Sequence, residues 1–256
     1  MMVSAKNKTI NKSTKQTSKS NIRSLLFTFV PLVVFSIGSI PLVIWIIFVF
    51  YLIPFNMIVH FILLPFILII SLWILIVSET LISGALIGLF NIKYMDGTYE
   101  YSVKNNMAFK WLLLCQLYTP IRKLFEIIPM GLIKIAYLRL LGMKIGNNTL
   151  LGGTIKDPCV TEIGDNVTIG EYAILYAHIQ NYAKGTITIN KIKIGNNCII
   201  GAGAIIMPGV VMEDNAILAA GGLVTKNRVL KKDKVYGGNP AVEMPITKKN
   251  REQRNV

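Results

Sequence analysis

The chain has 256 residues, 53% of them hydrophobic and only 16% charged, with 27 Lys plus Arg against 13 Asp plus Glu. One ordinary soluble domain does not have this composition. The positive excess does not indicate nucleic acid either, because the charges flank apolar stretches, where anionic lipid head groups would sit.

Residues 1–24 read as a disordered basic arm: Lys6, Lys8, Lys12, Lys15, Lys19 and Arg23 occur with no acid among them. From Leu25 to Ser78 there is no Asp, Glu, Lys or Arg. A bilayer core takes about 20 apolar residues per helix, so residues 25–92 are expected to hold a transmembrane hairpin. Its spans run from Leu25 to Tyr51 and from Met57 to Ser78, broken near Pro54, Phe55 and Asn56 and kinked at Pro31, Pro41 and Pro65. The apolar run is too long for a cleaved signal peptide. A basic arm stays on the cytoplasmic side, and two spans return the rest of the chain there. The expected location is therefore the cell membrane, multi-pass, with the C-terminal domain cytoplasmic. The segment "ETLISGALIGLF", residues 79–90, carries Glu79 and reads as interfacial or re-entrant; a third span would reverse the orientation.

Residues 93–144 carry Met107, Trp111, Leu114, Cys115 and Tyr118, then Ile121, Leu124, Phe125 and Ile128, at helical spacing beside Lys110, Arg122, Lys123, Lys134 and Arg139. That pattern suits amphipathic helices in the head-group plane, the alternative being a soluble amphipathic helix packed on its own domain. The three cysteines, Cys115, Cys159 and Cys198, have neither paired nor metal-type spacing and fit small buried side chains in a reducing compartment.

Residues 145–241 repeat every six. Aliphatic or Met residues stand at Ile145 and Leu151, at Ile163, Ile169 and Leu175, and at Ile194, Ile200, Ile206, Met212, Leu218 and Val224. The fourth residue after each is mostly small or β-branched: Thr149, Val167, Ala173, Cys198, Ala204, Val210, Ala216 and Gly222. Short strands separated by tight turns, three to a coil, produce a prism of parallel strands filled by these residues. Gly often follows the aliphatic residue, where the backbone turns with positive φ or packs closely. The register breaks between Gln180 and Lys193, where the chain must leave the prism as a short loop.

The stretch "KIGNNCIIGAGAIIMPGVVMEDNAILAAGGLVTKN", residues 193–227, followed by "VYGGNPA", residues 235–241, closely resembles the last coils and terminal loop of the hexapeptide-repeat acyltransferase superfamily. The resemblance implies a left-handed parallel β-helix, an all-β solenoid. It also implies acetyl-CoA or another acyl-CoA as co-substrate, a homotrimer and no metal. With the hairpin, the basic helices and "LRLLGMKIGNN", residues 138–148, the layout is also similar to the membrane-embedded C-terminal domains of poly-lysine synthetases.

Of two histidines, His60 lies inside an apolar span, whereas His178 stands just before the register break. In the resembled enzymes a His at that place deprotonates the acceptor, which makes His178 the candidate general base. Imidazole chemistry suits proton removal from a hydroxyl or ammonium attacking a thioester. Glu162 and Asp157 are candidates to orient it. The γ-class carbonic anhydrases share the prism but bind zinc through three histidines, and this domain has one. By the same resemblance Gly203, Ala204, Ala220 and Gly221 would offer amides to the pantetheine arm. Thr225 and Lys226, with Arg228, would meet the nucleotide end, and Asn239, Pro240 and Ala241 would cover the adenine. Ile179, Gln180 and Asn181 depart from sugar-modifying members, which often follow the His with another His or a Pro. The expected activity is transfer of an acetyl or related acyl group to a hydroxyl or amine of a membrane-associated or lipid-linked acceptor. The alternatives are an inactive scaffold of a trimeric membrane complex, or aminoacyl condensation on a carrier. Residues 242–256 read as a basic tail.

Overall fold

In the computed structural model the described residues are 22–52, 57–128 and 130–245. The arm up to residue 21, the break at Pro54, Phe55 and Asn56, the His60 side chain and the tail from residue 246 lie outside them. The chain divides into two compact units, Met1–Ile92 with Ser102–Leu124, and Lys93–Tyr101 with Phe125–Val256.

The first unit contains two helical stretches long and apolar enough to cross a membrane, Ile22–Leu52 and Phe61–Leu89, the latter within a helix Met57–Leu89. They touch where side chains are small: Ser78 Oγ donates to the Gly38 carbonyl at 2.7 Å, and a Cβ at Gly38 would run into the Glu79 carboxylate. Residues 79–89 do not form an element of their own but continue the second helix. Thr80 and Ser83 return their hydroxyls to the carbonyls of Ile76 and Glu79, at 2.6 Å each, and lie buried with Glu79. Nothing there breaks the helix, which at 1.5 Å per residue is roughly 50 Å long. A third helix, Asn106–Ile127, starts at Asn105, whose Oδ1 accepts the Met107 and Ala108 N–H groups at 2.9 and 3.2 Å. Ala108, Trp111, Leu114, Leu117, Tyr118 and Ile121 on it are buried.

The second unit is the prism. Its three parallel sheets fit a left-handed β-helix and are built from pairs of residues stacked coil on coil. On the first face β2 (Lys144–Ile145), β5 (Thr161–Ile163), β10 (Ile192–Ile194), β13 (Val211–Met212) and β16 (Val229–Leu230) align Ile145, Ile163, Ile194, Met212 and Leu230. The second face stacks Leu151, Ile169, Ile200 and Leu218 from β3 (Leu150–Leu151), β6 (Thr168–Ile169), β11 (Ile199–Ile200) and β14 (Ile217–Leu218), with Tyr236 of β17 (Val235–Gly237) on top. The third stacks Ile155, Leu175, Ile206 and Val224 from β4 (Thr154–Ile155), β7 (Ile174–Leu175), β12 (Ile205–Ile206) and β15 (Leu223–Val224). Each rung from Ile163 to Val224 is buried, and so are the small second positions Val167, Ala173, Cys198, Ala204, Val210 and Ala216.

Two devices make the turns. Gly201, like Gly170, approaches the next coil so closely that a Cβ would strike backbone atoms of Ala220 or Ala202. The left-handed residue at one edge is asparagine instead: Asn148, Asn166, Asn197 and Asn215 all have φ between 52° and 59°. Their side chains form a ladder, Asn148 Nδ2 donating to Asn166 at 3.0 Å and Asn166 Nδ2 to Asn197 at 3.1 Å. A helix, Gly131–Leu140, packs on β2 and β3 with Tyr137 and Leu138 buried. From it Lys134 donates to the carbonyls of Leu151 and Gly153 at 2.8 Å each, and burial lowers the ammonium's pKa.

Residues 93–144 are thus not one run of interfacial helices. Residues 97–100 form a strand, β1 (Gly97–Glu100), in the prism unit. The register break is not a plain loop either. The step from Ile163 to Ile194 is thirteen residues longer than that from Ile194 to Met212, and the extra chain is a hairpin. Its strands β8 (His178–Asn181) and β9 (Thr186–Ile189) are antiparallel, and β1 completes the sheet in the order β1, β9, β8. The run Thr-Ile-Thr-Ile in β9 alternates by strand period, burying Ile187 and Ile189, and Gly185 turns with φ of 58°.

Candidate active site

Asp157 lies just after β4 and before a 3₁₀ turn, Pro158–Val160. It falls six residues after Leu151 and six before Ile163, at a place where the hexad pattern wants an aliphatic residue. The chain buries Ile155 instead and leaves Asp157 with no exposed surface. Such a carboxylate is tolerable only if fully hydrogen-bonded. Tyr94 Oη donates to Oδ1 at 2.8 Å, the Ala177 N–H donates to Oδ2 at 2.9 Å, and His178 Nδ1 lies 2.7 Å from Oδ2. A carboxylate has no proton to give, so Nδ1 supplies the hydrogen of this bond, and in the neutral form of the ring the lone pair is then on Nε2. The imidazole retains 18% of its surface and stands edge-on to Tyr176, the ring centroids 6.2 Å apart. This pairing of a histidine with a buried orienting carboxylate is the arrangement that general-base catalysis uses.

Of the two proposed orienters, Asp157 therefore holds His178. Glu162 does not: it bridges Lys191 at 2.7 Å and Lys144 at 2.8 Å, and hydrogen bonds to Lys144 and then Lys191 hold its carboxyl below the usual range. A broad open cleft of about 610 Å³ on that face is lined by Lys144, Glu162, Lys193 and Glu213 and does not include His178. Sequence reasoning missed Tyr94, which is buried and 63 residues before Asp157.

The residues matched to a coenzyme A site divide between two edges of the prism. Gly203 and Ala204 lie between β11 and β12, Ala220 and Gly221 between β14 and β15, and Asn239, Pro240 and Ala241 follow β17 on the same edge. Thr225, Lys226 and Arg228 lie between β15 and β16, the edge that His178 and the hairpin leave from. The amides of Gly203, Ala204 and Gly221 are not free donors: they donate to the carbonyls of Glu171, Gly201 and Ala202 at 2.9, 3.2 and 2.9 Å. Arg228 is not a second outward cation either, because its Nη1 donates to the Ala241 carbonyl and ties down the terminal loop. Thr225 and Lys226 are exposed.

The family model described as bacterial transferase hexapeptide (six repeats) matches residues 191–226. YvoF of Bacillus subtilis, a presumed acetyltransferase, is 33% identical over 122 residues, covering 46% of this chain and 68% of YvoF. The chain belongs to the hexapeptide-repeat transferase family. Mitochondrial gamma carbonic anhydrase 2 of Arabidopsis thaliana is 36% identical over 81 residues, and the match spans 32% of this chain but only 24% of that protein. Delta-poly-L-ornithine synthetase of Acinetobacter baumannii is 27% identical over 110 residues, 43% of this chain and 8% of the synthetase.

Proposed function

We propose that the protein is a membrane-anchored acyltransferase that moves an acetyl or related acyl group from acyl-CoA to a hydroxyl or amine of a membrane-associated acceptor. The observation that carries this reading is the 2.7 Å contact of His178 Nδ1 with buried Asp157, which would leave Nε2 as the ring nitrogen that acts as base. Nε2 takes the acceptor's proton as its oxygen or nitrogen attacks the thioester carbonyl. The resulting tetrahedral oxyanion collapses with loss of the CoA thiolate, which the imidazolium can reprotonate. Asp157 offsets the charge on the imidazolium without itself taking the proton. Lys226 and Thr225 would meet the nucleotide end of the coenzyme, and Ala220 and Gly221 the pantetheine arm.

Those two groups lie on different edges of one prism, which supports a homotrimer in which each site is completed by the neighbouring subunit. The two long apolar helices, whose Leu25, Phe29, Leu32, Phe61 and Phe66 are exposed, support anchoring in the cell membrane with the prism cytoplasmic. The likeness to a poly-amino-acid synthetase, together with the hairpin layout, favours an amine or lipid-linked acceptor over a free sugar. The test is mass spectrometry of lipids and glycans from membranes incubated with acetyl-CoA and purified protein. An acyl-bearing product that requires the protein is expected; unchanged membranes with no CoA released would refute the reading.

A further inference from the structure

The hairpin has a second face that the chemistry above does not use. Cross-strand pairing puts Thr98, Thr188 and Ile179 side by side, and next to them Thr186 and Asn181. His178 pairs with Ile189 and so points to the opposite face. Above the threonines is a half-enclosed cleft of about 330 Å³ whose lining includes Thr98, Thr186, Thr188, Asn190, Lys184 and Lys226. No carboxylate lines it; Glu100, across from Thr186 at the end of β1, is not among the lining residues. Thr98 and Thr188 share a hydrogen bond of 3.0 Å between their hydroxyls, so one proton of the pair remains for a ligand.

Several ammonium groups elsewhere in this unit have partners. Lys144 and Lys191 meet Glu162, Lys231 meets Glu213, Lys234 meets Glu243, and Lys134 meets two carbonyls. Among the described residues, Lys184 and Lys226 have no ion-pair partner, as is also true of Lys193 and Lys232, but those two line the cleft that holds Glu162 and Glu213, whereas Lys184 and Lys226 share one without an acid. Two ammonium groups, several hydroxyl donors and no acid form an electrostatic trap for a multiply charged anion. The volume would admit a pyrophosphate with part of what it is attached to.

We infer that this cleft, between the hydroxyl face of the β1–β9–β8 sheet and Lys226, binds a phosphate-bearing ligand. Its phosphates belong either to the nucleotide end of the acyl donor or to a lipid-linked acceptor. The inference rests on the acyltransferase reading only for which ligand enters, so binding rather than turnover is the measurement.

The full-length protein in detergent is titrated calorimetrically with inorganic pyrophosphate, alongside Lys184→Gln and Thr188→Val. Lys184 is exposed on a turn and Thr188 is half-exposed, so neither change should disturb folding, and thermal melting of both variants checks this. Loss of one charge-assisted bond should weaken binding roughly tenfold or more in Lys184→Gln, with a smaller loss in Thr188→Val. Competition then separates the two sources. Displacement by coenzyme A but not by pantetheine assigns the cleft to the donor, and displacement by vesicles carrying a polyprenyl pyrophosphate, but not by phosphatidylcholine vesicles, assigns it to the acceptor. Absence of pyrophosphate binding, or equal affinity in wild type and both variants, overturns the inference even if the protein proves to be an acyltransferase.

Discussion

Beside the rung that Ile155 fills, the chain buries a carboxylate, Asp157, that takes hydrogen bonds from Tyr94, Ala177 and His178. A fully buried carboxylate is costly unless its bonds are made, and here one of them holds the imidazole in one tautomer. Asp157→Asn should therefore lower kcat by an amount comparable to His178→Ala, about 10²- to 10⁴-fold, because an amide can present its NH₂ to Nδ1 and reverse the tautomer. Tyr94→Phe leaves one carboxylate oxygen short of a buried donor, which should cost about 1–3 kcal/mol in stability and a smaller part of kcat. Melting curves and steady-state kinetics on the same preparations separate the two effects. The thiols have no comparable role. Burial pushes both Cys159 and Cys198 up to about 11, so at pH 8 they are overwhelmingly protonated. Iodoacetamide should label them in the native protein far more slowly than after unfolding.

At the scale of elements, stability depends on whether each turn can stack. Asn197→Ala puts a residue without a local hydrogen-bonding side chain at φ of 55° and removes an acceptor from the ladder. A loss of about 1–2 kcal/mol is expected, with Asn197→Gly losing less because glycine carries no left-handed penalty. Denaturant melts of the two variants would show the difference. Glu162 supplies a pH dependence. Its folded pKa lies below the unfolded value, so its bonds to Lys144 and Lys191 stabilise the fold above the unfolded carboxylate pKa and are lost as pH falls through the folded one. Glu162→Gln should accordingly narrow the fall in Tm between neutral pH and pH 3.

The rungs were legible in the sequence because a six-residue period has one simple structural solution, and residues from Ile163 to Val224 fall on it in order. His178 was legible as the residue before the break. The hairpin and β1 were not, because an antiparallel strand contributed from 90 residues earlier leaves no local mark; the alternating Thr186–Ile189 was the available clue. The partner of His178 was legible only as one of two acids, Glu162 and Asp157, because sequence alone does not say which carboxylate is buried beside the imidazole. Tyr94 was not, since nothing in an isolated tyrosine says where its hydroxyl goes. The continuous helix through Glu79 was misread because a charge suggests an interface, whereas here it lies buried beside Gly38.

For the whole molecule, the division of coenzyme-binding candidates between two edges makes a definite prediction about assembly. If each site joins the His178 edge of one subunit to the Gly203–Gly221 edge of the next, two inactive chains can complement each other. Chains with His178→Ala and chains with Gly221→Gln, each inactive alone, should regain partial activity when mixed and reassembled; no recovery, or a monomer active in detergent, would contradict a shared site. The central claim is that His178, oriented by Asp157, removes the acceptor's proton during acyl transfer. It is tested most directly by CoA release from acetyl-CoA by the full-length protein in membrane lipid extract, comparing wild type with His178→Ala at matched thermal stability. Acceptor-dependent release by the wild type and a fall of about 10²-fold or more in the variant are predicted. Equal rates in the two proteins, or no release by either, would contradict the account.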